Sequence, residues 1–190
     1  KSNAYGHGLV EVAGILDSYN QTPHPDPLPQ GERENGTIPF FMVDSFYEAL
    51  VLRREGIKTK ILVLGFTRQD QLKNSKLKNV SFGIIDLQIL KLLSANLKQP
   101  LSIHLKIDTG MHRQGILVSE IDEAIKLIQQ NPNINLEGIC SHFADADGTD
   151  ETFTNKQIEI WNNLVKTFKD NFNSIKYYHT SNTAGARYAK

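Results

Sequence analysis

Short apolar runs alternate with amphipathic helical runs along most of this chain, and that alternation narrows its possible folds more than any other feature. IPFFMVD (residues 38–44) precedes SFYEALVLRREG (45–56). Ser45 and Glu48 there stand at capping-box spacing, and Gly56 closes the helical run. KILVLG (60–65) comes before a weaker helical stretch at 69–76, and VSFGII (80–85) before DLQILKLLSANL (86–97). LSIHLKID (101–108) leads through a loop into SEIDEAIKLIQQN (119–131), with Ile121, Ile125 and Ile128 on one helical face. INLEGICSHF (134–143) is followed by a long helix whose apolar stripe is Ile158, Trp161, Val165, Phe168 and Phe172. IKYYHTS (175–181) closes the series.

Nearly continuous apolar strands alternating with helices imply an α/β fold: a parallel sheet covered by helices. About six strands are legible, and a closed barrel of eight takes around 250 residues. The expectation is therefore an incomplete (β/α)8 TIM-type barrel, with the first strand and the last β/α unit missing. A doubly wound open sheet is the alternative, although no G-x-G-x-x-G turn follows the first strand. One stretch breaks the pattern. Residues 20–37, NQTPHPDPLPQGERENGT, place proline at 23, 25, 27 and 29. Each proline lacks an amide donor and biases its predecessor away from helix. Connections in α/β units run to about 2–6 residues, so this stretch reads as an insertion.

Composition limits the partners. Lys plus Arg and Asp plus Glu both total 21, for zero net charge and a pI near 7.2, which offers no attraction to nucleic acid or an anionic membrane. No apolar run approaches the roughly 18 residues of a membrane span. The single cysteine, Cys140, excludes a disulfide framework and reads as a buried small apolar residue. These features fit a soluble cytoplasmic protein.

In LSIHLKID the period of two puts Leu101, Ile103, Leu105 and Ile107 on one face and Ser102, His104, Lys106 and Asp108 on the other. An inward lysine and aspartate need partners, because an unpaired buried charge is costly. A structural Lys106–Asp108 pair would satisfy both, and a ligand is the other reading. Further reactive residues fall where strands end: Lys1 opens a loop, Arg113 follows one strand, His142 ends another, and His179, Asn182 and Thr183 follow a third. That rim carries the active sites of (β/α)8 barrels. A lysine can form a Schiff base with a carbonyl, an arginine offers a fork to a carboxylate or phenolate, and hydroxyls beside a tight turn suit a phosphate. Together they point towards pyridoxal phosphate. A metal site is the competing reading, with His142, Asp145 and Asp147 in HFADAD as ligands, but no second histidine or carboxylate stands at a ligand spacing.

KSNAYGHG, HLKIDTGMHRQGI, EGICSHFADAD and HTSNTAGA occur in that order, and together they resemble the barrel domain of the alanine racemase family. The resemblance runs from Lys1 to about Arg187, interrupted by the proline-rich stretch. It implies that Lys1 matches the lysine that bonds pyridoxal 5'-phosphate and acts as base on one face of the substrate. Tyr5 matches a tyrosine at the cofactor phosphate, and Arg113 the arginine near the phenolic oxygen and substrate carboxylate. Lys106 matches a lysine carbamylated in some members, where it orients that arginine. His142 matches the histidine packed on the pyridine ring, and His179 a histidine supporting the arginine at the ring nitrogen. Asn182 falls in the same motif as a cofactor-binding residue. Thr183 takes the place of a phosphate-binding serine, a departure that keeps the hydroxyl.

The family's activity is interconversion of L- and D-alanine, which supplies D-alanine for peptidoglycan in the cell wall, usually as a homodimer. Its second base is a tyrosine on a C-terminal β-domain of the partner subunit. That domain is expected to be absent here, leaving residues 1–190 as a partial barrel domain that is inactive alone. The alternatives are a non-racemising pyridoxal-phosphate-binding barrel protein and a non-functional remnant of an interrupted gene.

Overall fold

A computed structural model describes residues 2–21, 38–180 and 182–188. Lys1 and residues 22–37, most of the proline-rich stretch, lie outside the described residues. The chain divides into two compact units, Lys1–Phe82 and Gly83–Lys190.

The first unit opens with a 3-10 turn, Ser2–Gly6, followed by α1 (Leu9–Gln21), β1 (Phe41–Val43), α2 (Phe46–Arg54), β2 (Ile61–Val63) and α3 (Gln69–Asn74). It runs into β3 (Val80–Ile84), which reaches across the boundary. β1 pairs with β2 and β2 with β3, both in parallel, with Phe41 opposite Ile61 and Ile61 opposite Val80. Ile61, Leu62 and Val63 are all fully buried, as an apolar run covered on both faces must be. The strand expected over 38–44 shortens to three residues for a local reason. The Asn20 side chain donates to the Ile38 carbonyl (3.0 Å) and accepts from the Ile38 amide (2.8 Å). It does for Ile38 what a neighbouring strand would do, and Pro39 has no amide to offer. Asn20 and Gln21, read with the proline-rich stretch, are the last residues of α1.

Buried polar side chains tie this unit's connections together. Asp17 accepts from the Thr59 amide (2.7 Å), the Thr59 hydroxyl (2.6 Å), the Lys58 amide (3.1 Å) and Gln21 Nε2 (2.6 Å). Burial alone would raise its carboxyl, but these donors hold it below the usual aspartate range. Arg53 donates to the carbonyls of Ile57, Thr59, Lys78 and Asn79, so one guanidinium joins the connections leading into β2 and β3.

The second unit holds α4 (Leu87–Asn96), β4 (Leu101–Asp108), β5 (Ile116–Leu117), α5 (Ile121–Gln130), β6 (Ile134–Ser141), α6 (Thr152–Asn171) and β7 (Tyr177–Thr180). A 3-10 turn, Val118–Glu120, precedes α5, and another, Ala184–Tyr188, follows β7. β6 pairs in parallel with β4 on one side and β7 on the other. Asp86 caps α4 by accepting the Ile89 amide (2.8 Å). At the far end of α4, Asn131 Nδ2 donates to the Ser94 (2.8 Å) and Leu97 (3.2 Å) carbonyls.

Two details depart from the sequence reading. β5 was legible only as loop. It joins β4 beside Ile107 and Asp108, and Gly115 makes that return possible. At φ 136° a side chain there would place its Cβ 2.6 Å from the Asp108 amide nitrogen. In α6 the buried line is Gln157, Trp161, Leu164 and Phe168, while Ile158 and Val165 are half-buried. The helix is therefore rotated so that a glutamine faces inward. Within each unit, parallel strands follow one another through helices, the α/β arrangement of an incomplete (β/α)8 barrel.

Candidate active site

In the second unit, strand register assembles two rows of side chains. His104 stands opposite Gly138, and Gly138 opposite Tyr177; one step on, Lys106 stands opposite Cys140 and Cys140 opposite His179. A register shift between Ile103 and His104 sets the first row. His104 is fully buried, with Nδ1 2.8 Å from His179 Nε2 and its ring stacked on Tyr177 at 5.7 Å between centroids. It has room because position 138 is glycine: an added Cβ would lie 2.6 Å from ring atoms of His104. Glu137 Oε2 is 3.8 Å from His104 Nε2. Burial first, and the neighbouring His104 second, push His179 down to about 4, so its imidazole is neutral at pH 7. His179 thus sits inside β7 rather than after it.

The polar face of β4 divides into three tasks. His104 holds His179. Lys106 Nζ donates to Gln114 Oε1 at 3.1 Å, beside the exposed Arg113. Asp108 accepts the amides of Gly110 (2.8 Å) and His112 (3.1 Å), shaping the loop that presents Arg113. One carboxylate oxygen thus serves backbone donors and the other stands 3.6 Å from His112 Nδ1, where a Lys106–Asp108 pair was one of two readings. Burial pushes the Cys140 thiol up to about 12 although Lys106 pulls the other way, so it stays an unreactive thiol, as its sequence context suggested.

Loops at the ends of β4 and β6 are joined by Thr109, Ser141 and Gln157, which sequence reasoning did not single out. Gln157 Nε2 donates to Thr109 Oγ1 (3.0 Å) and to the His142 carbonyl (3.2 Å), while its Oε1 accepts the Ala144 amide (3.0 Å). Thr109 and Ser141 share a hydroxyl hydrogen bond of 2.8 Å. The half-buried His142 is thus braced from α6 through its own backbone. Asn182 Nδ2 donates to the Phe143 carbonyl (3.3 Å) and its Oδ1 accepts the Gly185 amide (2.9 Å). Thr183 beside it is exposed.

In the first unit, Tyr5 is 70% exposed on the turn directly after Lys1. Asn3, Ala4 and Tyr5 have φ of 50°, 50° and 59°, a left-handed turn made without glycine. Left-handed geometry costs such residues about 1–2 kcal/mol each, so something must hold it. The Glu48 carboxylate accepts the Asn3 amide at 2.7 Å, the Leu9 amide donates to Asn3 Oδ1 at 2.9 Å, and the His7 amide to the Ala4 carbonyl at 3.2 Å.

No three His, Cys, Asp or Glu side chains gather as a metal site among the described residues. The donor set suits an anionic, aromatic carbonyl compound. Within the second unit, Arg113 offers a guanidinium and Lys106 an amine, His142 a flat ring, and the exposed Thr183 a hydroxyl. These residue types match the charge and shape of pyridoxal phosphate.

Residues 31–190 match the family described as alanine racemase, N-terminal domain. An alanine racemase of Fusobacterium nucleatum is 38% identical over 191 residues, covering 97% of this chain and 46% of that protein. One of Methanococcus maripaludis is 34% identical with the same coverage. Among solved structures, an alanine racemase of Clostridium difficile 630 superposes with a TM-score of 0.78 at 27% identity, covering 97% of this chain and 48% of that one. The chain spans about half the length of the curated relatives it matches.

Proposed function

The chain belongs to the alanine racemase N-terminal domain family, and from that premise we propose that it carries the cofactor-binding part of a pyridoxal-phosphate-dependent alanine racemase. The observation that carries this reading is the two-row array on β4, β6 and β7, with Arg113, His142 and Asn182 in the loops that follow those strands. Residues 1–190 are part of its barrel domain, and residues 22–37 are an insertion in it. The whole protein is a cytoplasmic homodimer that interconverts L- and D-alanine, for peptidoglycan synthesis. Among the described residues, no helix is long and apolar enough to cross a membrane.

Pyridoxal 5'-phosphate, when bound, supplies an electron sink for the charge left at the substrate Cα once its proton departs. Lys1 Nζ holds the cofactor and takes or returns that proton on one face. The hydroxyls of Tyr5 and Thr183 and the amide of Asn182 hold the phosphate. The Arg113 guanidinium orients the substrate carboxylate with its planar fork. The His142 ring would offer a flat surface to the cofactor. Lys106, carbamylated or not, steadies the loop of Arg113 through Gln114. The neutral His179, fixed by His104, would orient a donor group towards the ring nitrogen.

The test is to incubate the chain with pyridoxal 5'-phosphate, reduce with borohydride and locate the adduct by tandem mass spectrometry. A single pyridoxyl group on the Lys1 side chain is expected, and its absence there would refute the reading. The second base belongs to a tyrosine outside these residues, so the same sample is expected to show only background racemisation.

A further inference from the structure

We propose that Glu48 is a positioning residue for Tyr5, its buried carboxylate clamping the left-handed turn that carries it. The proposal rests on the reading of Tyr5 as a residue that holds the cofactor phosphate. Glu48 stands three residues after the helix cap Ser45, whose hydroxyl accepts the Glu48 amide at 3.2 Å. A capping glutamate at that position would reach back to the Ser45 amide. Its two oxygens go elsewhere. One accepts the Asp44 amide at 2.9 Å, at the end of β1, and the other the Asn3 amide at 2.7 Å, 45 residues away in sequence.

Three consecutive non-glycine residues at positive φ form an arrangement that local sequence does not favour. Hydrogen bonds of an ionised carboxylate to backbone amides are short and strong, and only 8% of Glu48 is exposed to competing water. The turn has its own ties, from His7 to Ala4 and from Leu9 to Asn3, but both lie within residues 3–9. Glu48 is a contact that fixes the turn to the strand-and-helix frame. Tyr5, the last of the three left-handed residues, inherits its direction from this anchor.

The decisive variant is Glu48→Gln in the full chain. The amide keeps the shape but turns one acceptor into a donor, which then faces a backbone N–H. Two quantities are read: hydrogen exchange of the peptide covering residues 2–8, and borohydride-trapped pyridoxyl at Lys1 against cofactor concentration. Loss of one charge-assisted bond should raise that exchange and weaken capture, each by about tenfold or more. Exchange in peptides from β4 and β6 should be unchanged. Adding Ala4→Gly, which removes part of the left-handed strain, should restore part of the capture. A clamp without positioning would raise exchange and leave capture unchanged, which overturns the proposal; unchanged exchange overturns it outright. Absence of capture in the unmodified chain would sink the cofactor reading and this role with it, while the exchange result still reports whether the clamp exists. Should Glu48→Gln fail to fold, Glu48→Asp keeps the charge but shortens its reach to the Asn3 amide by one methylene, and it is read by the same two measurements.

Discussion

The histidine rows of β4, β6 and β7 and the Ser2–Gly6 turn both carry candidate site residues, but they are held by opposite means. The rows take their positions from strand register, shared over many backbone hydrogen bonds, and their weak point is a shortage of space at Gly138. The turn belongs to no strand. Its backbone is strained, and a carboxylate from α2 helps tie it to the frame. A site element on register should therefore fail by crowding, and one on a clamp by loss of a single polar contact.

The sharpest way to break that contrast is Gly138→Ala. The new Cβ would stand 2.6 Å from His104 in a fully buried place, so the ring must leave its site. We expect about 3 kcal/mol of destabilisation in denaturant unfolding, at the upper end for overpacking. The exchange of residues 2–8 should not change. Equal loosening of the turn would show that the contrast is false.

A smaller effect comes from acid. His179 stays neutral down to about pH 4 in the folded chain, whereas an unfolded histidine takes its proton near 6.5. The unfolded state therefore binds more protons between these values. Stability from this group is complete above pH 6.5 and falls as the pH drops towards 4. Going from pH 7 to pH 5 should cost on the order of 2 kcal/mol, read from denaturant midpoints. His179→Asn should remove most of that slope. A slope that survives the substitution would assign the sensitivity to other groups.

The smallest effect should follow from replacing residues 22–37 with a short glycine-serine linker. Asn20 hydrogen-bonds both backbone groups of Ile38, so the chain leaves and re-enters the first unit at one place. Loop-closure entropy changes slowly with length, and the unfolding midpoint should move by less than about 1 kcal/mol equivalent. A large loss would mean that these residues make contacts the frame depends on.

How far the sequence could be read follows from what each feature depends on. β4 was legible over its full length because an eight-residue alternation reports its own period, and α4 because Asp86 announces its start. The family motifs singled out Arg113, His142 and His179 as candidates without their surroundings. β5 was hidden because two residues carry no period, and β1 was over-read because the groups that satisfy Ile38 lie in α1. Glu48 was legible as a capping residue, yet its true partner, Asn3, stands 45 positions earlier. Gln157 was masked by an apolar stripe that could be drawn one residue away from it. Features set by distant partners do not show in local pattern.

The interlock of His104 with Gly138 also bears on how such a chain can change over generations. The volume that the imidazole fills is the volume that a side chain at 138 would need. Neither position can drift by itself: enlarging 138 demands a smaller residue at 104, and shrinking 104 opens a cavity that glycine cannot fill. The two sites should therefore be inherited as one character, and a pairing of bulky 138 with histidine 104 should be missing from functional descendants.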